Sequence, residues 1–234
     1  MEQVKHVLFI DNSLDSNIYS PVGHWSRHVD CDFDTVMPPM GEFPHRFDKY
    51  SHVIITGSES SIMSEEEWIH AECELVREIA GAQIPILASC FGFQLVVKAL
   101  SGEEYIQPSL TPEFGWIPTV LSAPDGRRDQ VFGALPASFF CFTSHFDEIC
   151  PLPDDWTRLA WSEDCANAVL KWNEGPVWGI QAHPEINFED GEKLLKALPR
   201  LRPDKTDLVQ RVLRPTHKDS TVTSALVESF LVNA

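Results

Sequence analysis

Cys90 stands where one apolar run, Ile84-Pro85-Ile86-Leu87-Ala88-Ser89, stops and a second, Phe91 to Leu100, begins with helical spacing. A reactive residue on a sharp strand-to-helix turn has small neighbours and faces the first N–H groups of the following helix, which favour negative charge. Such a turn lowers a thiol's pKa and holds an oxyanion. A cysteine in an apolar run is more often simply a buried side chain, so chemistry requires a base elsewhere. Val177 to Ile180 is a second strand-like run, and it ends in Gln181-Ala182-His183-Pro184-Glu185. In extended chain, residues two apart point the same way, so the Glu185 carboxylate can reach His183 and fix its tautomer. Cys90, His183 and Glu185 then form nucleophile, base and orienter of a thiol-based catalyst.

The elements that must position them follow from the pattern around them. Buried-type strands alternate with helical segments, which predicts an α/β fold with a sheet covered on both faces. Lys5 to Ile10 reads as the first strand, Ser51 to Thr56 as one leading into a glycine-containing loop, and Pro85 to Ser89 as the central strand. Ser64 looks like an N-cap, with Glu65, Glu66 and Glu67 in the first turn of a helix to about Ala80. A further helix, Phe93 to Leu100, is stopped by Ser101-Gly102. Tyr105 to Trp178 breaks into shorter β-like pieces, with a turn at Ser122-Ala123-Pro124-Asp125-Gly126, and predicts antiparallel strands joined to the main sheet. Gly191 to Ala234 reads as two or three helices separated by Pro199, Pro203 and Pro215. The last, near Ser220 to Leu231, is amphipathic; it is expected to cover the core, with docking of a partner or of a second copy as the alternative.

Four segments together resemble a known family. Cys90-Phe91-Gly92-Phe93-Gln94 matches the C-x-G-x-Q elbow of class I glutamine amidotransferases, and Gly179 to Glu185 resembles their G-x-Q-x-H-P-E motif. Val53 to Ser61 resembles the family's oxyanion loop, and Thr143 to Glu148 its S-H-x-D substrate loop. The resemblance covers roughly residues 5 to 190. It is strongest to free-standing members related to the glutaminase domain of GMP synthetase, a group that includes gamma-glutamyl peptidases. It implies a flavodoxin-like α/β fold, with a mostly parallel central sheet and helices on both faces, a small antiparallel β extension and a helical C-terminal tail. One domain over residues 1–234 is the economical division, and the length and 43% hydrophobic content suffice for a single core.

The resemblance implies that Cys90 attacks the side-chain amide of glutamine or a gamma-glutamyl compound while His183 carries the proton. Backbone N–H groups of Phe91 and of the Gly57-Ser58 loop would hold the oxyanion. Gln94, His145 and Phe146 would line the substrate pocket, with Glu59 and Glu113 bordering it, whereas Asp147 and Glu148 read equally well as solvated charges. Two positions depart from the family pattern, Ala88 for the first elbow glycine and Ser58 for the second loop glycine. Alanine still fits a tight elbow, but Ser58 lacks glycine's freedom of φ, so the oxyanion hole is expected to form only on binding.

Composition narrows the partners. With 18 basic and 35 acidic side chains the net charge is −17, which repels a phosphate backbone and an anionic membrane alike. No signal or spanning segment is read in Val7-Leu8-Phe9-Ile10, and a soluble cytoplasmic protein is expected. The six cysteines form no C-x-x-C pair and no zinc-ligand spacing, so disulfides, a metal and other cofactors are not expected. Three functions stay open: a stand-alone gamma-glutamyl hydrolase, a glutaminase subunit feeding ammonia to a separate synthetase, and a non-catalytic regulator on the same fold. An oligomer is compatible with each.

Overall fold

The computed structural model describes residues 5–201, 203, 206–214 and 219–234. In chain order the elements are β1 (His6–Ile10), α1 (Pro21–Trp25), β2 (Asp32–Val36), β3 (His52–Ile55), α2 (Glu67–Gly81), β4 (Ile86–Ser89) and α3 (Phe91–Leu100). Then follow β5 (Ile106–Pro108), β6 (Phe114–Leu121), α4 (Asp125–Arg128), β7 (Ser138–Ser144), β8 (Asp147–Ile149), β9 (Trp156–Trp161), β10 (Val169–Trp172) and β11 (Val177–Ile180). The chain closes with α5 (Phe188–Leu201), α6 (Thr206–Val212), β12 (Leu213–Arg214) and α7 (Thr223–Asn233).

One large sheet runs β12-β6-β9-β10-β11-β4-β3-β1-β2, with β7 also paired to β6, and β5-β8 form a separate antiparallel pair. The stretch β2-β1-β3-β4-β11 is parallel throughout, and the pairs from β11 through β10 and β9 to β6 and β7 are antiparallel. Strand alternation sorts the apolar residues onto two faces. Leu8, Ile10, Val53, Ile55, Ile86 and Ala88 pack under α2 and α3. Val7, Phe9, Ile54, Leu87 and Trp178 pack on the other side, with Leu226, Val227 and Phe230 of α7. Strands buried on both faces read as continuous hydrophobic runs, which is why β1, β3 and β4 are legible in the sequence.

Several boundaries differ from expectation. Helix α2 starts after Ser64: its N-cap is Glu66, and Ser64 Oγ instead donates to Ser61 O at 2.9 Å within the preceding turn. The turn expected around Ser122 to Gly126 runs into the short α4, which begins at Asp125. Gly191 and Pro199 lie inside α5, which opens three residues before Gly191. Asn187 caps it, accepting the Asp190 N–H at 2.9 Å while its own amide donates to Asp190 at 3.0 Å. Pro199 falls in the last turn, and Pro203 is exposed after the helix; Pro215 lies outside the described residues. The final helix covers the core as expected. No helix among the described residues is long and apolar enough to cross a membrane.

Candidate active site

Strand β4 is hydrogen-bonded between β3 and β11, so the central strand ends at the elbow and its neighbour ends at the base. Cys90 caps α3 with φ 49° and ψ −111°, a left-handed backbone unusual for a residue with a Cβ. Its N–H bonds Ile180 O at 2.8 Å, tying the elbow to the strand that delivers His183. Gly92 lets α3 start this tightly: a Cβ there would lie 2.7 Å from Ile55 O and 2.8 Å from Thr56 O, backbone atoms that cannot move aside. Ala88 is accommodated as expected, fully buried in β4.

His183 and Glu185 meet as the spacing predicts. The His183 Nδ1–H donates to Glu185 Oε1 at 3.0 Å, and the ring also shares a hydrogen bond with Cys90. Burial pushes the imidazole pKa down, but the charges of Cys90 and Glu185 outweigh it and raise it to about 10. The arrangement thus favours the imidazolium form of His183. Cys90 Sγ lies 3.7 Å from Gln181 Nε2, a donor, and 3.9 Å from Ser144 O.

Two side chains that sequence reasoning left without a role complete this cluster. Tyr19, in the loop before α1, donates its O–H to Glu185 Oε1 at 2.6 Å, stands 3.2 Å from His183 Nδ1 and meets the ring edge-on. Burial, with the Glu185 charge, holds its phenol well above the usual range, so it remains a donor. Gln181 bridges Cys90 and Gln94; its place two residues before His183 in extended chain was the signal available for it.

The cavity beside Cys90 has a volume of about 410 Å³. Of the expected residues, Ser58, Glu59, Phe91, Gln94, His145, Phe146 and His183 line it; Glu185 stands behind the imidazole. Gly57 does not line it. A Cβ at Gly57 would fall 2.6 Å from His183 Cε1 and 3.0 Å from the Tyr19 hydroxyl, so the residue leaves room for the base. Nor does Ser58 need glycine's conformations: among the described non-glycine residues only Gln83, Cys90 and Thr221 have positive φ. Ser58 therefore carries no left-handed backbone strain. The N–H groups of Ser58 and Phe91 have no acceptor among the described residues.

Several of the lining residues are also held by the protein itself. The Gln94 amide donates to Asp147 O at 2.7 Å and to Gln181 Oε1 at 3.2 Å, so it braces the cavity wall with both N–H bonds. Its partners are remote in sequence, one a backbone carbonyl and one a side chain. Asp147 lines the cavity and accepts the Ser61 hydroxyl at 2.7 Å. Glu59 accepts the N–H groups of Leu14 and Asp15, while burial raises its carboxyl pKa.

Glu113 does not border the cavity. It is buried behind His145, bonded by Ser162 Oγ at 2.6 Å and 3.4 Å from His145 Nε2. Glu113, His145 and Cys165 each offer a ligand atom, all within 4.8 Å of one another, the one such group among the described residues. It is drawn from segments far apart in the chain, beyond reach of a spacing argument. The existing hydrogen bonds of Glu113 and His145 already account for their burial.

Behind the Gly57-Ser58 loop lies a polar network that sequence reasoning missed. Glu72 of α2, fully buried, accepts the Asn12 amide at 3.0 Å; Asn12 in turn bonds Thr56 through its backbone N–H at 2.9 Å and its amide at 3.4 Å. Thr56 O accepts the Gly92 N–H at 3.1 Å, so the loop and the elbow hang on one anchor.

The chain is similar to known proteins in sequence and fold. The family model described as glutamine amidotransferase class-I matches residues 10–197. A glutamine-hydrolyzing GMP synthase subunit of Methanococcus maripaludis is 31% identical over 116 residues, covering 49% of this chain and 58% of that protein. The GMP synthase of Borreliella burgdorferi is 29% identical over 147 residues, covering 62% of this chain but only 27% of that one. A crystallised glutamine amidotransferase from Thermotoga maritima superposes with a TM-score of 0.77 at 24% identity, covering 97% of this chain and 96% of that one, a likeness of fold. The family match runs from the end of β1 through elbow, cavity loops and base into α5, and the chain belongs to the class-I glutamine amidotransferase family.

Proposed function

We propose that the protein hydrolyses the side-chain amide of glutamine or of a gamma-glutamyl compound through a glutamyl thioester on Cys90. The observation that carries this reading is the Cys90-His183-Glu185 cluster opening into the cavity, with Tyr19 and Gln181 around it. The thiolate attacks the amide carbon, forming the C–S bond. The N–H groups of Phe91 and Ser58 take the oxyanion, each such donor contributing about 3 kcal/mol to the barrier reduction. As the C–N bond breaks, the His183 imidazolium gives its proton to the departing nitrogen. Water then attacks the thioester, His183 accepts its proton, and glutamate leaves as the thiolate–imidazolium pair returns. Glu185 orients the imidazole, while Tyr19 and Gln94 act as positioning residues.

The test is glutamate release from L-glutamine by purified protein, with Cys90→Ala as control. Turnover that survives in Cys90→Ala sinks the mechanism. A second reading, ammonia supply to a separate synthetase, is favoured by the relatives from Methanococcus maripaludis and Pyrococcus abyssi, each a glutamine-hydrolyzing subunit of GMP synthase. It predicts that glutamine turnover rises when the acceptor protein is added.

A further inference from the structure

The wall of the cavity around the catalytic base is apolar. Tyr19 packs edge-on against His183 at 5.6 Å between ring centroids, and the Phe142 ring lies 6.2 Å from it. Tyr19 and Phe142 belong to a small cluster with Trp116 and Ile186, onto which Leu194 and Leu195 of α5 pack. Gly191 brings the helix close, because a Cβ there would meet the Phe142 and Trp116 rings. Leu194, Leu195 and Leu198 remain only half-buried and line the cavity together with Ile186. The polar lining comes from elsewhere: Gln94 of α3, Asp147 of β8, and Ser61 of the loop after β3.

This division has a chemical meaning. In acyl transfer the departing nitrogen faces the group that protonates it, so whatever that nitrogen carries lies on the side of His183. Release of ammonia asks nothing of that side beyond the imidazole. Yet the cavity, at about 410 Å³, falls in the range of about 300–1,000 Å³ that holds drug-sized ligands, and glutamine fills only part of it. Half-buried leucines beside a nucleophile are apolar area that a ligand can cover. Among the described lining residues none is Lys or Arg, whereas Glu59 and Asp147 are present. An amine bearing a carboxylate, as in a gamma-glutamyl peptide, would find no Lys or Arg among the described lining residues, and the one imidazolium there, His183, already faces Glu185.

Resting on the thioester reading above, we infer that the substrate is a gamma-glutamyl amide of an apolar primary amine, an aryl- or alkylamine whose hydrocarbon part lies against Ile186, Leu194, Leu195 and Leu198. Its amide C–N bond is exchanged for the Cys90 thioester, the amine leaves with the His183 proton, and water supplies the oxygen of the released glutamate. The wall then recognises the leaving group, and the α3/β8 side recognises the glutamyl part.

The experiment compares kcat/KM of the purified protein for L-glutamine, gamma-glutamylanilide, gamma-glutamylbutylamide and gamma-glutamylglycine, alongside alkylation of Cys90 by the chloromethyl ketone analogue of glutamine. One methylene in an apolar pocket is worth about 10–200-fold, so the anilide and butylamide are expected at least ~100-fold above glutamine, with gamma-glutamylglycine no better than glutamine. Leu198→Gln is expected to cut the anilide-to-glutamine ratio by about tenfold or more. Leu194→Gln carries the same test should Leu198→Gln fail to fold by its melting temperature. Glutamine turnover without gain for the apolar amides, or a preference for gamma-glutamylglycine, overturns the inference and leaves the thioester reading standing. Cys90 alkylation without turnover of any amide also overturns it. The absence of both turnover and alkylation overturns the thioester reading as well.

Discussion

Glu72→Gln tests the buried anchor behind the Gly57-Ser58 loop. Burial raises the Glu72 carboxyl from 4.5 to about 8, and the Asn12 amide offsets only part of that. Its second oxygen has no partner among the described residues, so little replaces the lost water. The folded chain therefore keeps a proton at Glu72 that the unfolded chain gives up above 4.5. Stability rises with pH only where the unfolded state binds more protons; here it binds fewer, so the contribution is whole below 4.5 and falls until about 8. At 1.36 kcal/mol per pKa unit the full loss is on the order of 5 kcal/mol, of which about 2–3 kcal/mol falls between roughly pH 5 and pH 7. Glutamine mimics the neutral acid and cannot titrate. Its extra N–H groups add an offset that does not depend on pH, so the informative quantity is the slope. Urea unfolding of both proteins, followed by tryptophan fluorescence at several pH values, should show the variant gaining about 2–3 kcal/mol on the parent from ~pH 5 to ~pH 7. A difference that stays constant across that range would mean Glu72 is ionised in the fold, and the argument for a protonated anchor would collapse.

Other perturbations separate the roles at the site. Cys90→Ala should abolish glutamate release and His183→Ala come close to doing so, whereas Glu185→Gln should retain measurable turnover because it orients the base without transferring protons; a folded Glu185→Gln as inactive as Cys90→Ala would refute that division. Tyr19→Phe removes the 2.6 Å donor to Glu185 and should lower kcat about tenfold while moving the alkaline limb of kcat/KM upward, since the carboxylate charge then acts on His183 undiluted. A pH–rate profile that keeps its limb would make Tyr19 a packing residue only. Gly57→Ala should displace the imidazole and reduce kcat about 100-fold with KM little changed, a split measurable in steady-state kinetics. Because His183 is raised to about 10, the imidazolium and the stability it contributes are complete below 6.5 and lost as pH rises through about 10; the alkaline limb of kcat/KM should fall there, and a limb near neutrality would contradict the ion pair.

The sequence reveals what local chain geometry determines. Cys90 can be found because β4 is a short, wholly buried strand that turns directly into α3, and His183 with Glu185 because residues two apart in extended chain share a face. The residues that escape are joined across the sheet. Tyr19 reaches Glu185 over 166 positions and Asn12 reaches Glu72 over 60, and nothing in the loops around them announces a partner. The family resemblance assigns Gln94 and Glu113 to the substrate pocket; Gln94 does line the cavity, its amide held by Asp147 O 53 residues away, whereas Glu113 lies behind His145, bonded by Ser162 49 residues away. Helix α5 departs from expectation for a local reason: Pro199 reads as a boundary, whereas the N-cap at Asn187 and a proline in the last turn are both compatible with one helix.

Strand β11 and helix α5 are separated only by the short segment that carries His183 and Glu185. The proton donor and the leucine-bearing wall are thus encoded in one uninterrupted stretch, 183–201, while the nucleophile and glutamyl-side groups lie more than 30 positions upstream. Duplicated genes of this architecture can diversify their accepted amines by drift within α5 alone, with the elbow untouched. For engineering, the same continuity makes 188–201 a natural cassette: a library confined to it, with Gly191 kept, varies the wall while Cys90, His183 and Glu185 stay fixed.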